Sequence, residues 1–305
     1  MMNPQLRVFP DFHIRGASAP EWNQRYLQMS PGVLRSELLE WSDGAIHVFG
    51  KWMSERIVQQ GGLPRGQLCL AILGGDPSGG LRVQGREFGA GDLLVLRGGQ
   101  DFEFQRPAGV EFLSVTIGEQ AFFEFIETSR SPSVADHVIE GNIIRPRPDD
   151  LDALRRCVRV RLSARCGPDG TELIRSARDA LAHAQVLPRP RAASVAATRM
   201  VGDSQRIALS EPREEPLKID ELCRRLRTSR RTLQNSFSRV TGTRPVTYLR
   251  NLRLNWVRRK LLSTSASELS VSGAAMEAGF DHLGHFAGSY KKLFGESPSK
   301  TIRRS

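Results

Sequence analysis

Arg231, Gln234 and Asn235 stand within five residues of one another and carry the side chains best suited to reading base edges. A guanidinium forks onto O6 and N7 of guanine, and a carboxamide pairs with N6 and N7 of adenine. To act together they must share the outer face of one helix. At about 100° per residue, with Leu233 as the buried centre, Phe237 and Val240 fall within about 40° of it. Arg231, Gln234, Asn235 and Ser238 then lie about 100–200° away, on the outside. Arg230, nearer the edge of that face, is placed for a backbone phosphate.

Such a helix works only if something buries its Leu233 side, and a weak internal repeat supplies it. One unit spans about 217–241 and a second about 271–295. Cys223 and Arg227 recur as Ala275 and Gly279, displaced by 52; Leu233, Phe237 and Val240 recur as Phe286, Tyr290 and Leu293, displaced by 53. Gly242 and Pro245 recur as Gly295 and Pro298, also at 53. One extra turn residue, assigned to Phe280, accounts for the step. A small residue lets a second helix cross the first closely, and the turn wants a residue that tolerates positive φ. Gly279 suits that position, whereas Arg227 takes it at a steric cost. These are two helix-turn-helix units. On the second, the outward face is Gly284, Ala287, Gly288 and Lys291, so Ala287 is left to touch a thymine methyl and Lys291 to hold a phosphate. Between the units, Arg244–Leu262 reads as a long helix begun by Pro245, with Leu249, Leu252 and Trp256 as its apolar stripe.

Charge agrees with this placement. Residues 200–305 hold 20 Lys and Arg against 10 Asp and Glu, a net +10 of the chain's +11. A neutral module joined to a polyanion-binding one is the natural reading. Residues 217–304 resemble the DNA-binding domain of the AraC/XylS family of bacterial transcription regulators. The resemblance rests on Ser229…Leu233-Gln234…Phe237, on Gly242…Pro245…Tyr248-Leu249…Arg253-Leu254, and on Ala275…Gly279-Phe280…His285-Phe286…Phe294-Gly295…Ser297-Pro298. It implies one all-α domain with two recognition helices joined by a linker helix, base contacts at Arg231, Gln234 and Asn235, and recruitment of RNA polymerase in activating transcription. Arg227, Arg244 and the bare second recognition helix depart from the common pattern.

The rest of the chain predicts an α+β architecture. Short apolar runs bounded by turn residues at Leu34–Trp41, Ala45–Phe49, Leu68–Leu73, Leu81–Phe88, Leu93–Leu96, Phe102–Phe104 and Val110–Ile117 predict a small β-barrel or jelly roll. Helical spacing follows in Leu151, Leu154, Val158 and Leu162, and in Ile174, Ala177, Leu181 and Ala184. Pro188 to Ser194 breaks the pattern, giving a first domain over 1–187, a linker over 188–198 and a second domain over 199–305. The resemblance implies that the first domain is a cupin-like sensor that binds a small effector or mediates dimerisation. Residues 68–118 contain no His, so a metal-dependent barrel enzyme is not expected, and no cofactor is implied. Cys69, Cys157, Cys166 and Cys223 are dispersed without metal-ligand spacing, which separates the chain from DNA-repair enzymes sharing such a domain. An enzymatic or effector-independent structural first domain is the alternative. His47, Trp22, Trp41 and Trp52 read as core residues. No apolar run reaches the ~18 residues of a membrane span and no signal peptide is legible, so a cytoplasmic protein is expected.

The charge division predicts that residues 195–305 alone bind duplex DNA, with affinity falling steeply as salt rises. Similar DNA affinity in residues 1–187 would overturn that division of labour.

Overall fold

The computed structural model describes residues 5–9, 24–75, 81–83, 86–128, 143–163, 170–187, 192–209 and 217–301. The N-terminal part forms two antiparallel sheets. Its strands are β1 (Gln5–Phe9), β2 (Arg25–Gln28), β3 (Ser36–Ser42), β4 (Ile46–Met53), β5 (Ile57–Gly62), β6 (Gln67–Leu73) and β7 (Leu81–Val83). They continue with β8 (Arg86–Phe88), β9 (Leu93–Arg97), β10 (Asp101–Arg106) and β11 (Phe112–Gly118). After helix α1 (Glu119–Thr128) comes β12 (Ile143–Arg145), then α2 (Pro148–Ser163), α3 (Gly170–Ala182) and β13 (Gln185–Val186).

The larger sheet runs β1-β3-β4-β11-β6-β9-β12-β13 and the smaller β2-β5-β10-β7-β8. No strand pairing joins them among the described residues, so the sheets stack as an open sandwich; of the barrel and the jelly roll that the spacing predicts, the closed barrel does not form. Leu38, Phe49, Ala71 and Phe112 from one sheet meet Val83, Phe88, Phe102 and Phe104 from the other in a shared core. On the outer face of the larger sheet, Val48, Leu70 and Val115 are covered by Leu151, Leu154, Val158 and Leu162 of α2 and by Leu173, Ala177 and Leu181 of α3. β6 is thus buried on both faces, which is why its sequence is a continuous apolar run. β10 alternates instead: Phe102, Phe104 and Arg106 point inward, and the pleat carries the Arg106 guanidinium into the interior with the two rings.

Several expectations shift. Leu81–Phe88 is a hairpin, with Arg82 opposite Glu87, rather than one strand. The first recognised strand starts at Ser36, and β1, β2, β5, β12, β13 and α1 were not anticipated. The expected linker at 188–198 is helical from Ala192 onward, because α4 (Ala192–Leu209) seals the first helix-turn-helix core with Ala197 and Val201. Cys69 is buried and its thiol is pushed up to about 12 by desolvation; Cys157 and Cys223 are shifted upward for the same reason. Trp41 packs in the core under the Arg161 guanidinium, 3.5 Å from its ring centroid. Trp22 and Cys166 lie outside the described residues.

The C-terminal part holds α5 (Ile219–Arg225), α6 (Arg230–Thr241), α7 (Pro245–Ser263), α8 (Val271–Glu277) and α9 (Leu283–Phe294), closed by a 3₁₀ turn at Pro298–Lys300. α7 serves two cores at once. Tyr248, Leu249 and Leu252 face the first unit, whereas Leu254, Val257 and Leu261 face the second. The expected stripe of Leu249, Leu252 and Trp256 is therefore only part of the burial, and Trp256 is half-exposed against the second core. A third neighbour is β2, an edge strand of the smaller sheet. The fully buried Asn255 accepts from the Gln28 backbone N–H at 2.8 Å and donates Nδ2 to the Gln28 carbonyl at 2.9 Å. Asn251 Nδ2 donates to the Met29 carbonyl at 3.1 Å, and Gln28 Nε2 donates to the Leu293 carbonyl at 2.7 Å.

An unpaired buried polar group costs about 1–3 kcal/mol. Asn255→Ala leaves both backbone groups of Gln28 without this partner and should destabilise the full chain by about that much per group. An unchanged urea midpoint at unchanged slope would show that water replaces the amide without loss.

Candidate nucleic-acid interface

Each recognition helix is set by its turn. In the first unit, Leu222 and Cys223 are buried beneath α6, and the Thr228 N–H donates to the Cys223 carbonyl at 3.0 Å. In the second, Ala274 and Ala275 are buried, and the Phe280 N–H donates to the Ala275 carbonyl at 3.0 Å. Arg227 has φ 50° and Gly279 has φ 71°, and Arg227 is the one non-glycine residue at positive φ among the described residues. Here the sequence reading held: the arginine occupies a left-handed position worth roughly 1–2 kcal/mol of strain to a residue with a Cβ.

Phe280 and Thr228 make the same bond at displacement 52, whereas the helix-capping residues His282 and Ser229 are 53 apart. The inserted residue is therefore Asp281, not Phe280. Ser229 caps α6 by accepting from the Thr232 N–H at 3.1 Å, a contact that His282 does not make for α9. Both helices end on a left-handed glycine, Gly242 at φ 65° and Gly295 at φ 76°.

Leu233, Phe237 and Val240 are buried on α6, while Arg231, Gln234, Asn235 and Ser238 are exposed together on its far side. Among the described residues the Arg231, Gln234 and Asn235 side chains engage no hydrogen-bond or ionic partner, so their donors and acceptors are available to a ligand. Arg230 differs. Its guanidinium forks onto both carboxylate oxygens of Asp220 on α5. The hydrogen bond and charge of Arg230 hold the Asp220 carboxyl below the usual range, and Asp220 in turn raises Arg230. Both groups are exposed, so a phosphate reaching Arg230 must compete with this carboxylate.

On α9, Phe286, Tyr290 and Leu293 are buried, and Gly284, Gly288 and Lys291 are exposed. Ala287 is only half-exposed, because its methyl packs partly against the second core. The sequence reading passed over His282 and His285, which are exposed at the N-terminal end of α9 with rings 6.0 Å apart. They bring hydrogen-bonding groups to a helix otherwise short of them. α7 fixes the position of this unit: Arg253 donates to the Gly279 carbonyl at 2.9 Å and lies over Phe280, and Arg258 donates to Glu296 at 2.8 Å.

A family model described as a helix-turn-helix domain matches residues 222–304. The XylDLEGF operon transcriptional activator of Pseudomonas putida is 36% identical over 96 residues, 32% of this chain and 30% of that protein. The C-terminal third is a helix-turn-helix domain. The probable thc operon regulatory protein of Rhodococcus erythropolis is 37% identical over 90 residues, 30% of this chain and 27% of that protein. A probable AraC family transcriptional regulator of Rhodopseudomonas palustris CGA009, solved by crystallography, is 31% identical, covering 34% of this chain and 94% of that one at a TM-score of 0.30. The chain spans about 30% of the length of the first P. putida relative. Residues 222–304 match a helix-turn-helix domain, and the relatives named above are transcription regulators. No helix among the described residues is long and apolar enough to cross a membrane.

The two recognition helices differ in their available chemistry, and mutation should separate them. Arg231→Ala or Gln234→Ala is expected to relax preference at particular base pairs, by about 1–3 kcal/mol of discrimination each. Lys291→Ala should weaken binding to all sequences and lower the salt slope by about one unit. Binding-site selection on each variant at two salt concentrations checks this; an altered motif with Lys291→Ala and an intact one with the α6 variants would refute it.

Proposed function

We propose that this protein is an effector-responsive activator that reads a specific duplex site chiefly through α6. The observation that carries the reading is the outer face of α6, where Arg231, Gln234 and Asn235 stand exposed and uncommitted beside a fully packed inner face. In this reading they contact bases, Ala287 touches a thymine methyl, and Lys291 holds a phosphate. Arg230 reaches a phosphate by exchanging Asp220 for it. Residues 1–187 form the cupin-like sensor and any dimer contact, and 199–305 bind DNA. RNA polymerase is the partner at the promoter, a role supported by the activator name of the P. putida relative. The run Ser229 to Asn235, with Gly279 to Ala287, also resembles the ethanolamine-utilisation operon regulator. That puts ethanolamine and cobalamin in the ligand panel.

The test uses the full-length chain in selection from random duplexes, followed by a reporter promoter carrying the selected site. One enriched motif and raised transcription are expected; a selection that yields no motif, or a reporter that the protein silences, would overturn specific recognition or activation respectively. Thermal-shift screening against amines, amino acids, sugars and cobalamins then tests effector response.

A further inference from the structure

A cavity of about 300 Å³ lies where the smaller sheet meets the C-terminal end of α6. Arg56, Arg82 and Arg106 line it together with apolar Ile57, Val58 and Val240, and no carboxylate is among its described lining residues. The three guanidiniums are held differently. Arg106 is 2% exposed; it donates to the Gln59 amide oxygen at 3.3 Å and to the Lys51 and Val110 carbonyls at 2.9 and 3.3 Å. Among the described residues its Nε–H has no partner. Among the same residues Arg82 reaches only the exposed Glu87, at 3.5 Å. Arg56 donates to the Thr241 carbonyl at 2.7 Å, the last residue of α6.

Burying a guanidinium beside uncharged partners is unfavourable, and desolvation lowers Arg106 to about 10. Three guanidiniums around one cavity, with no carboxylate among its described lining residues, call for an anion. The apolar half of the wall selects one with a hydrocarbon body, and the volume sits at the low end of the ~300–1,000 Å³ usual for small-ligand pockets. We propose that this cavity binds a small organic carboxylate, held by Arg106 and Arg82, with Arg56 coupling its presence to α6.

The coupling is direct. An anion in the cavity draws on the guanidinium that now satisfies the C-terminal carbonyl of the first recognition helix, so the carboxylate and Thr241 compete for Arg56. The same wall disfavours a protonated amine such as ethanolammonium, through repulsion from three guanidiniums. The inference rests on the effector-responsive reading and specifies its ligand class and site.

Calorimetry on the full-length protein with hexanoate, phenylacetate and hexanamide tests it, with DNA affinity measured by anisotropy in the same samples. At least one carboxylate should bind, hexanamide should bind at least tenfold more weakly than hexanoate, and Arg106→Met should weaken the carboxylate at least tenfold. Should Arg106→Met fail to fold, the half-exposed Arg82→Gln is expected to weaken it at least threefold. Equal binding of acid and amide, binding of neither carboxylate, or carboxylate affinity unchanged in the folded variants overturns the site. Ethanolamine or cobalamin shifting DNA affinity while both carboxylates fail to bind would overturn this site and leave effector response standing. A bound carboxylate that leaves DNA affinity unmoved overturns the coupling through Arg56.

Discussion

Everything in the C-terminal domain depends on α7 having no solvent face of the usual kind. One helix must supply the floor of two helix-turn-helix cores and also receive an edge strand from the smaller sheet. A helix exposed on one side buries a stripe of residues; this one buries Tyr248, Leu249 and Leu252 in one direction, then Leu254, Val257 and Leu261 in another. Its buried polar residues follow from the same demand. Asn251 and Asn255 turn their amides to the backbone of residues 28 and 29, completing pairing that an edge strand otherwise leaves open. Arg258, nearly buried, meets Glu296 and the Tyr290 hydroxyl. The register of both recognition helices is thereby tied to one rigid element.

This arrangement explains what the sequence reveals and what it conceals. The faces of α6 and α9 are legible because each has a single buried side, so helical spacing maps onto burial: Leu233, Phe237 and Val240 in one, Phe286, Tyr290 and Leu293 in the other. Gly242 and Gly295 are legible because only a left-handed stop suits their place. α7 defeats the same method, since a helix buried in several directions has no single stripe, and Trp256 was put in the wrong company. β2 is concealed for another reason: Arg25–Gln28 is short and polar at its ends, and its partner amide is 227 residues away. The Asp220–Arg230 fork crosses a turn between two helices, so spacing within either helix cannot show it. The barrel expectation failed at closure alone. Most of its strands exist, but closure depends on pairings between sheets that local alternation does not encode.

The two units also differ in how their turns are made. The first accepts an arginine at positive φ, and its recognition helix is capped by Ser229 and rich in base-reading groups. The second has the unstrained glycine and one more turn residue, yet its helix lacks a side-chain cap and presents small residues outward. A bare surface allows close approach to the groove, and His282 and His285 concentrate what polar chemistry there is at the helix's N-terminal end. Recognition by such a helix reads shape and backbone more than base edges.

Contact between the smaller sheet and the C-terminal helices is continuous. Leu27, Met29 and Val58 of the smaller sheet belong to the same apolar cluster as Leu233, Phe237 and Val240 of α6. Gln60 also bonds Gln205 on α4, which in turn bonds the Tyr248 hydroxyl on α7. A packed cluster is not continuously deformable, so a change in the smaller sheet cannot be absorbed without moving the inner face of α6 or separating the domains. The polar contacts set which is easier. Those at Gln28 and Asn255 lie on α7, beneath both units, while Arg56 alone reaches the end of α6. Loss of the Arg56 contact therefore frees the first recognition helix while the second stays anchored through Gln28 and Leu293. On the proposed reading, in which Arg231, Gln234 and Asn235 contact bases, a signal entering at that end acts on sequence recognition before it acts on general affinity for DNA.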